Sequence, residues 1–277
     1  MPEYQFNQHA FNFSYPAVMG ILNLTPDSFS DGGKFINPEI ALEHALKMNE
    51  WGAQIIDLGA ESTRPGSESI SEQEELSRIL PVLEILPKDS FAISIDTTKP
   101  VVAEACLQAG GHILNDVSGG TPKMIELASK FGSGLVLMHS QGSPKTMQIN
   151  PSYHNVVKEV LDFFEAKKES LSKINLPRIW IDPGIGFGKT LEHNLDLMRN
   201  IKKFKNEMWG ILLGSSRKSW IHQLCDAPSP MDRLGGSLAS AVLAIQQGTE
   251  IIRAHDVMET KQALDVAIEL AIDCESN

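Results

Sequence analysis

Two stretches of this chain concentrate groups that do chemistry. In Asn23-Leu24-Thr25-Pro26-Asp27-Ser28-Phe29-Ser30-Asp31-Gly32-Gly33 an amide opens a loop rich in Ser, Asp and Gly, and in Asp182-Pro183-Gly184-Ile185-Gly186-Phe187-Gly188-Lys189 a carboxylate opens a glycine-rich one. Each follows an apolar run, Ala17–Leu22 in the first case and Ile179–Ile181 in the second. The same arrangement recurs in Ser94-Ile95-Asp96-Thr97, Asn115-Asp116-Val117, Met138-His139 and Ile251-Ile252-Arg253-Ala254-His255. One Asp or Asn at the end of an apolar run reads as a cap on the next loop. Repeated at successive strand ends, such residues read as a site, because a strand that delivers a carboxylate or amide into a loop is how a barrel enzyme assembles one.

The elements that must position these residues follow from the pattern. Strands are predicted at 17–22, 54–58, 91–95, 112–114, 134–138, 178–181, 210–213 and 250–252, mostly continuous apolar runs suited to a parallel sheet covered on both faces. Helices alternate with them. One starts at Asn37-Pro38 and stops at Gly52, and another is opened by a Ser71–Glu74 capping box, with Pro81 expected to kink it or end it early. A third runs from Thr121-Pro122 to Gly132, and a Lys- and Glu-rich one over roughly 152–173 is placed on the outside. A faint repeat, helix then glycine then buried strand then polar residue, joins Gly52–Asp57, Gly111–Asn115 and Gly248–Arg253. Eight such units closing on themselves give a (β/α)8 TIM barrel, a single domain over 1–277 with its core at about 17–272. The competitor, an open doubly wound sheet, would more often show five or six strands and a GxGxxG after the first, which this chain lacks.

The bulk properties narrow the class. At 42% hydrophobic and 21% charged residues, the 277-residue chain has the means for a large core, so disorder is not expected. A net charge of −11 argues against nucleic acid as the main partner, while leaving room for a small phosphorylated substrate that feels only the local field. Cys106, Cys225 and Cys274 lie far apart with no CxxC spacing, so a reducing compartment is expected and no zinc site. With no apolar run of membrane-spanning length and no leader-like N-terminus, the expectation is a cytoplasmic protein without membrane contact.

These motifs, together with Asp57-Leu58-Gly59-Ala60-Glu61-Ser62-Thr63-Arg64-Pro65-Gly66 and Ser216-Arg217-Lys218-Ser219, closely resemble the signatures of the dihydropteroate synthases, in order, from about Ala17 to about Ala271. The resemblance implies a folate-biosynthetic transferase, the target class of sulfonamides. It joins 4-aminobenzoate to 6-hydroxymethyl-7,8-dihydropterin diphosphate by an SN1-like displacement that releases pyrophosphate. It further implies Mg²⁺ as cofactor, with Asn23 as its protein contact, and a pterin pocket made by Asp96, Asn115, Met138, Asp182 and Lys218. The 4-aminobenzoate site would be Phe29, Thr63, Pro65, Phe187 and Ser219. Asn23, Thr63, Arg64, Arg253 and His255 would hold the pyrophosphate, and Asn23, Arg64, Lys218, Arg253 and His255 are the expected catalytic set. No general base is assigned, because an aromatic amine is already neutral at pH 7. His139 reads as a residue that supports the site from behind or as a packing residue, Lys189 as a cap on the glycine-rich loop and Trp220 as core. The loops 25–33 and 63–70 are expected to be mobile and to close around the substrates. The family commonly forms homodimers, and the small-residue helix Ser237–Ala241 fits close packing.

Two other readings compete with this one. A methyltetrahydrofolate-dependent methyltransferase would keep the strand-end Asp and Asn residues but lack Ser-Phe-Ser-Asp-Gly-Gly and Ser-Arg-Lys-Ser, both present here. A catalytically silent pterin-binding or scaffold protein should have lost Asn23, Thr63-Arg64 or Arg253-x-His255, all intact. Ser140, Ser143 and Ile185 depart from the usual family pattern and bear on loop shape.

Overall fold

Apolar runs separated by helices can bury both faces only if the helices cover the outside and the strands close on the inside. The computed structural model shows that arrangement; it describes residues 3–25, 37–62, 67–142 and 145–271. A hairpin comes first, strands β1 (Glu3–Phe6) and β2 (His9–Asn12). Then β3 (Ala17–Asn23), β4 (Ile55–Gly59), β5 (Ala92–Asp96), β6 (Ile113–Asp116), β7 (Gly134–Met138), β8 (Ile179–Asp182), β9 (Gly210–Leu213) and β10 (Ile251–Ala254) pair in parallel, and β10 closes on β3. All eight barrel strands lie where the apolar runs predict them, and in most the strand extends by a residue or two to include the polar residue at its end.

Among the described residues the α-helices are α1 (Pro38–Glu50), α2 (Glu72–Ile85), α3 (Pro100–Gln108), α4 (Pro122–Lys130), α5 (Val156–Ser172), α6 (Leu191–Arg199), α7 (Ser219–Cys225), α8 (Leu234–Ile245) and α9 (Val257–Ala271). Their starts follow the expected chemistry: the Asn37 carboxamide accepts the Glu39 and Ile40 N–H groups at 2.9 and 3.1 Å. At Gly52 the backbone turns through φ +101, which glycine alone adopts without strain, and α1 hands over to β4. Pro81 does not end α2. The helix runs on to Ile85 because Ile79, Val82 and Leu83 are buried on either side of the proline, and that packing outweighs the one ladder bond lost. Ser71 caps α2 by accepting the Glu74 N–H, while the Glu74 carboxylate reaches Arg78 at 2.6 Å.

Alternation along the strands sorts the interior. Outward residues such as Ile56, Leu58, Ile93, Ile95, Leu114, Leu135, Leu137 and Ile181 pack under the helices. The inward positions near the strand starts, Ala17, Met19, Ile55, Ala92, Ile113, Val136, Trp180, Leu212 and Ile251, form a separate apolar cluster with Phe6, Phe11 and Phe13. The hairpin, which the sequence pattern did not predict, thus plugs the N-terminal end of the barrel. Two residues further along the strands the inward positions turn polar: Asp57, Ser94, Asn115 and Arg253, with Asp96 and Asp182 beside them. Barrel closure therefore places an apolar floor beneath a charged mouth.

Candidate active site

The mouth is held together by one arginine. Arg253, on β10, donates from Nε to Asp57 Oδ2 at 2.6 Å and from Nη2 to Asp96 Oδ2 at 2.9 Å. Asp57 Oδ2 also accepts the Asn115 Nδ2–H at 3.1 Å. Four strand ends are thereby joined, β4, β5, β6 and β10. Asp57 is fully buried, and its Oδ1 has no hydrogen-bond partner among the described residues. Burial first, and then the neighbouring Asp57 charge, raise the Asp96 carboxyl to about 7, with Arg253 pulling the other way. Burial works against the Arg253 charge, but Asp57 and Asp96 more than offset it, so Arg253 stays protonated.

A second group faces this one. A methyl added at Gly214 would lie 3.4 Å from Asp182 Oδ2, 3.7 Å from Lys218 Nζ and 3.8 Å from Arg253 Cδ, so these three side chains converge over a glycine that leaves them room. Asp182 is oriented by the Gly184 N–H, donated to Oδ1 at 2.7 Å. Lys218 donates to the Ile185 carbonyl at 2.7 Å and sits 4.5 Å from the centre of the Phe187 ring. Burial lowers the Lys218 ammonium to about 8, the nearby Asp182 opposing the shift. Lys218 is aimed inward by a backbone turn at Arg217, whose φ of +57 is uncommon for a residue with a side chain. That turn is held by the Ser237 hydroxyl, which accepts the Arg217 N–H at 2.9 Å, and by a two-pronged pair from Arg217 to Asp256.

At the rim, Ser216 Oγ accepts the His255 N–H at 3.2 Å and lies 3.1 Å from His255 Nδ1. Ser219 is exposed at the first position of α7. Asn23 is half-buried at the end of β3, paired in register with Gly59, and Met138 is buried beside Asp182 across the β7–β8 ladder. Among the residues proposed from sequence, Asp96, Asn115, Met138, Asp182, Lys218 and Arg253 come together at the strand ends, with Asn23, Phe187, Ser219 and His255 on the loops and edges around them. Phe29, Thr63, Arg64 and Pro65 lie outside the described residues, as do the greater part of the 25–33 loop and the tip of the 63–70 loop. Trp220 is buried, in agreement with a core role.

Sequence reasoning missed Asp57 as a site residue although its motif was read; the signal was a carboxylate at an inward position of an otherwise apolar strand. It also missed Lys99, whose ammonium bridges Glu61 and Glu75, and Arg78, which donates to the Ala60 carbonyl at 2.8 Å. Both anchor the chain just before the 63–66 loop.

Among the described residues no group of three or more His, Cys, Asp or Glu side chains is arranged to hold a metal, and no helix is long and apolar enough to cross a membrane. Known proteins resemble this chain closely. The pattern of the family described as pterin binding enzyme matches residues 19–255. The dihydropteroate synthase of Escherichia coli (strain K12) is 44% identical over 272 residues, covering 97% of this chain and 96% of the relative. The solved Yersinia pestis dihydropteroate synthase, in a sulfonamide drug complex, superposes with a TM-score of 0.89 at 41% identity, covering 98% of this chain and 100% of that one. The Xanthomonas albilineans dihydropteroate synthase, solved with 4-aminobenzoic acid, gives 0.89 at 36% identity, with 98% of each chain covered. With the strand-end carboxylates, Lys218 and Arg253 gathered at one barrel mouth and this similarity running through almost the whole chain, the protein belongs to the pterin-binding enzyme family and, within it, to the dihydropteroate synthases.

Proposed function

We propose that the barrel mouth condenses 6-hydroxymethyl-7,8-dihydropterin diphosphate with 4-aminobenzoate, giving 7,8-dihydropteroate and pyrophosphate in folate synthesis. The observation that carries this reading is the convergence of Asp182, Lys218 and Arg253 over Gly214, with Asp96 bonded directly to the same arginine and Asn115 tied to it through Asp57. A pterin presents several N–H donors and ring acceptors along one edge. Carboxylates and an amide match the donors, and an ammonium matches an acceptor. In this assignment Asp182 takes the amino-pyrimidinone edge, Asp96 and Asn115 complete the contacts, Met138 packs on the ring and Lys218 donates to a ring acceptor.

The reacting carbon is a CH₂ on an electron-rich dihydropterin, so charge developing there spreads into the ring. Its C–O bond breaks with the electron pair leaving on pyrophosphate, the amine nitrogen forms the new C–N bond, and the surplus N–H proton passes to water. Binding and electrostatics suffice for this step. Arg253 and His255, with Arg64, are assigned to the departing anion. Arg253 would act while still holding Asp57 and Asp96, so one residue links the pterin pocket to the leaving-group site. Phe187, with Phe29 and Pro65, is assigned to the benzoate ring, Ser219 to its carboxylate and Thr63 to both the 4-aminobenzoate and the pyrophosphate.

Mg²⁺ fits this donor set. A hard cation that keeps most of its waters needs few protein ligands, and the Asn23 amide oxygen at the end of β3 is the residue that would hold it, the diphosphate oxygens supplying the rest. It would offset charge on the leaving group.

The chain is read as one pterin-binding domain, a reading supported by the family match over residues 19–255. A homodimer is proposed through α8 and α9. A groove of about 790 Å³ lined by Leu238, Val242, Val266, Ala267 and Leu270 runs between them, and Leu243, Val266 and Leu270 are 57%, 60% and 70% exposed. The free thiols Cys106 and Cys225 suit a reducing, cytoplasmic compartment.

The test is turnover of purified protein with both substrates and Mg²⁺. Pyrophosphate and dihydropteroate should appear in equal amounts, and neither should appear when one substrate is withheld. Folded protein that binds pterin yet releases no pyrophosphate would favour the silent binding protein instead.

A further inference from the structure

The β8–α6 loop, residues 183–190, is held by side chains from several directions, and one of them is a buried lysine to which the reaction gives no role. Lys189 is only 3% exposed. Its Nζ lies 2.9 Å from the Phe187 carbonyl oxygen, 3.1 Å from His139 Nδ1 and 3.4 Å from the His139 carbonyl oxygen. Burial lowers the Lys189 ammonium to about 7, the nearby Asp182 opposing the shift, so below that pH its three N–H groups meet three acceptors and above it the neutral amine keeps two N–H donors. Burial lowers the His139 imidazole to about 3, so His139 is neutral and its Nδ1 can accept. His139 is in turn fixed: its N–H donates to the Asp182 carbonyl at 2.9 Å, and its ring meets Phe163 edge-on at 5.0 Å. Lys189 thus connects the backbone of Phe187 to a residue bonded to the strand end that carries Asp182. The rest of the loop has other anchors. Ile185 is held by Lys218, Gly186 by Asn194 and Gln148, and Gly188 by the Tyr153 hydroxyl.

We propose that Lys189 is a positioning residue for the aromatic-amine subsite: by tying the Phe187 carbonyl to His139 it sets where the Phe187 ring stands against Lys218. The inference rests on the assignment of Phe187 to the benzoate ring. It makes the Lys189–His139 pair a determinant of how the second substrate is seated, acting through Phe187 and without a hydrogen bond from Lys189 to the side chains assigned to the pterin. Asp182 keeps its place without Lys189, because the β7–β8 ladder and the Gly184 N–H hold it.

Steady-state kinetics on Lys189→Met test this. Methionine keeps the volume and loses the donors. The KM for 4-aminobenzoate should rise about tenfold, the scale of one charge-assisted hydrogen bond, while kcat and the KM for the pterin diphosphate stay within about twofold. Phe187→Ala should raise the same KM, and adding Lys189→Met to it should raise it little further, because the lysine acts through that ring. Were Phe187→Ala to leave the 4-aminobenzoate KM unchanged, the assignment of Phe187 would fall and this proposal with it. A response to Phe187→Ala but not to Lys189→Met would overturn the proposal alone, as would equal rises in both KM values. Lys189→Gln, which keeps a donor for one carbonyl, serves if the methionine variant does not fold. Failure of both to fold would assign Lys189 to stability and overturn the positioning role.

Discussion

Replacing Asp57 by Asn probes the network at its centre. Asp57 Oδ2 accepts from Arg253 Nε at 2.6 Å and from Asn115 Nδ2 at 3.1 Å, while Oδ1 is buried with no partner among the described residues. An asparagine can keep both bonds only with its carbonyl oxygen at the Oδ2 position. Its NH₂ then occupies the place of Oδ1, and a buried donor without a partner costs about 1–3 kcal/mol. Turned the other way, two NH₂ groups face each other between residues 57 and 115. Outright loss of a partner in a buried ion pair costs about 3–5 kcal/mol, but Arg253 retains Asp96 at 2.9 Å, which spares much of that. The expected net loss is about 2–3 kcal/mol of folding stability, read from urea denaturation. Pterin affinity should fall about tenfold or more, because Asn115 and Arg253, which in turn holds Asp96, lose the carboxylate that orients them, and calorimetric titration of a pterin would show it. The reasoning is refuted if Asp57→Asn folds within about 0.5 kcal/mol of wild type and binds pterin equally well.

Asp96 makes stability and pterin affinity run in opposite directions with pH. Its folded pKa is raised to about 7, so the unfolded chain loses this proton first; between roughly pH 4 and pH 7 the native state binds more protons and stability declines as pH rises. Pterin affinity should climb over the same window as the carboxylate forms, and Asp96→Asn should flatten both trends in paired denaturation and titration series. Gly184→Ala puts a Cβ into the His139 carbonyl oxygen at a φ of +72, and a cost of about 3 kcal/mol or more is expected in thermal or urea unfolding; a neutral result would mean the loop is free to shift. Phe6→Ala removes a fully buried ring from the apolar floor and should cost about 3–5 kcal/mol with both substrate KM values unchanged, since the floor and the mouth occupy opposite ends of the barrel.

Much of this protein is legible along the chain. A parallel strand covered on both faces must be apolar, so each run announces itself, and the polar residue that ends it announces the mouth; Asp96, Asn115, Asp182 and Arg253 are read in that way. The helix starts at Asn37 and Thr121 are equally local, because capping involves only neighbouring residues. The N-terminal hairpin is not legible: strands of four residues are too short for a period, and what makes them stable is the barrel floor they cover. Nor does the chain tell whether Pro81 ends its helix, since burial on both sides of it decides. The pairings that give the site its electrostatics belong wholly to the tertiary structure. Asp57 and Arg253 are 196 residues apart, and Lys189 and His139 are 50 apart. Only closure of β10 on β3, and the packing of neighbouring loops across the mouth, bring them within hydrogen-bond reach. A residue's type can be read in isolation, but its charge state and orientation depend on what burial and its neighbours leave it.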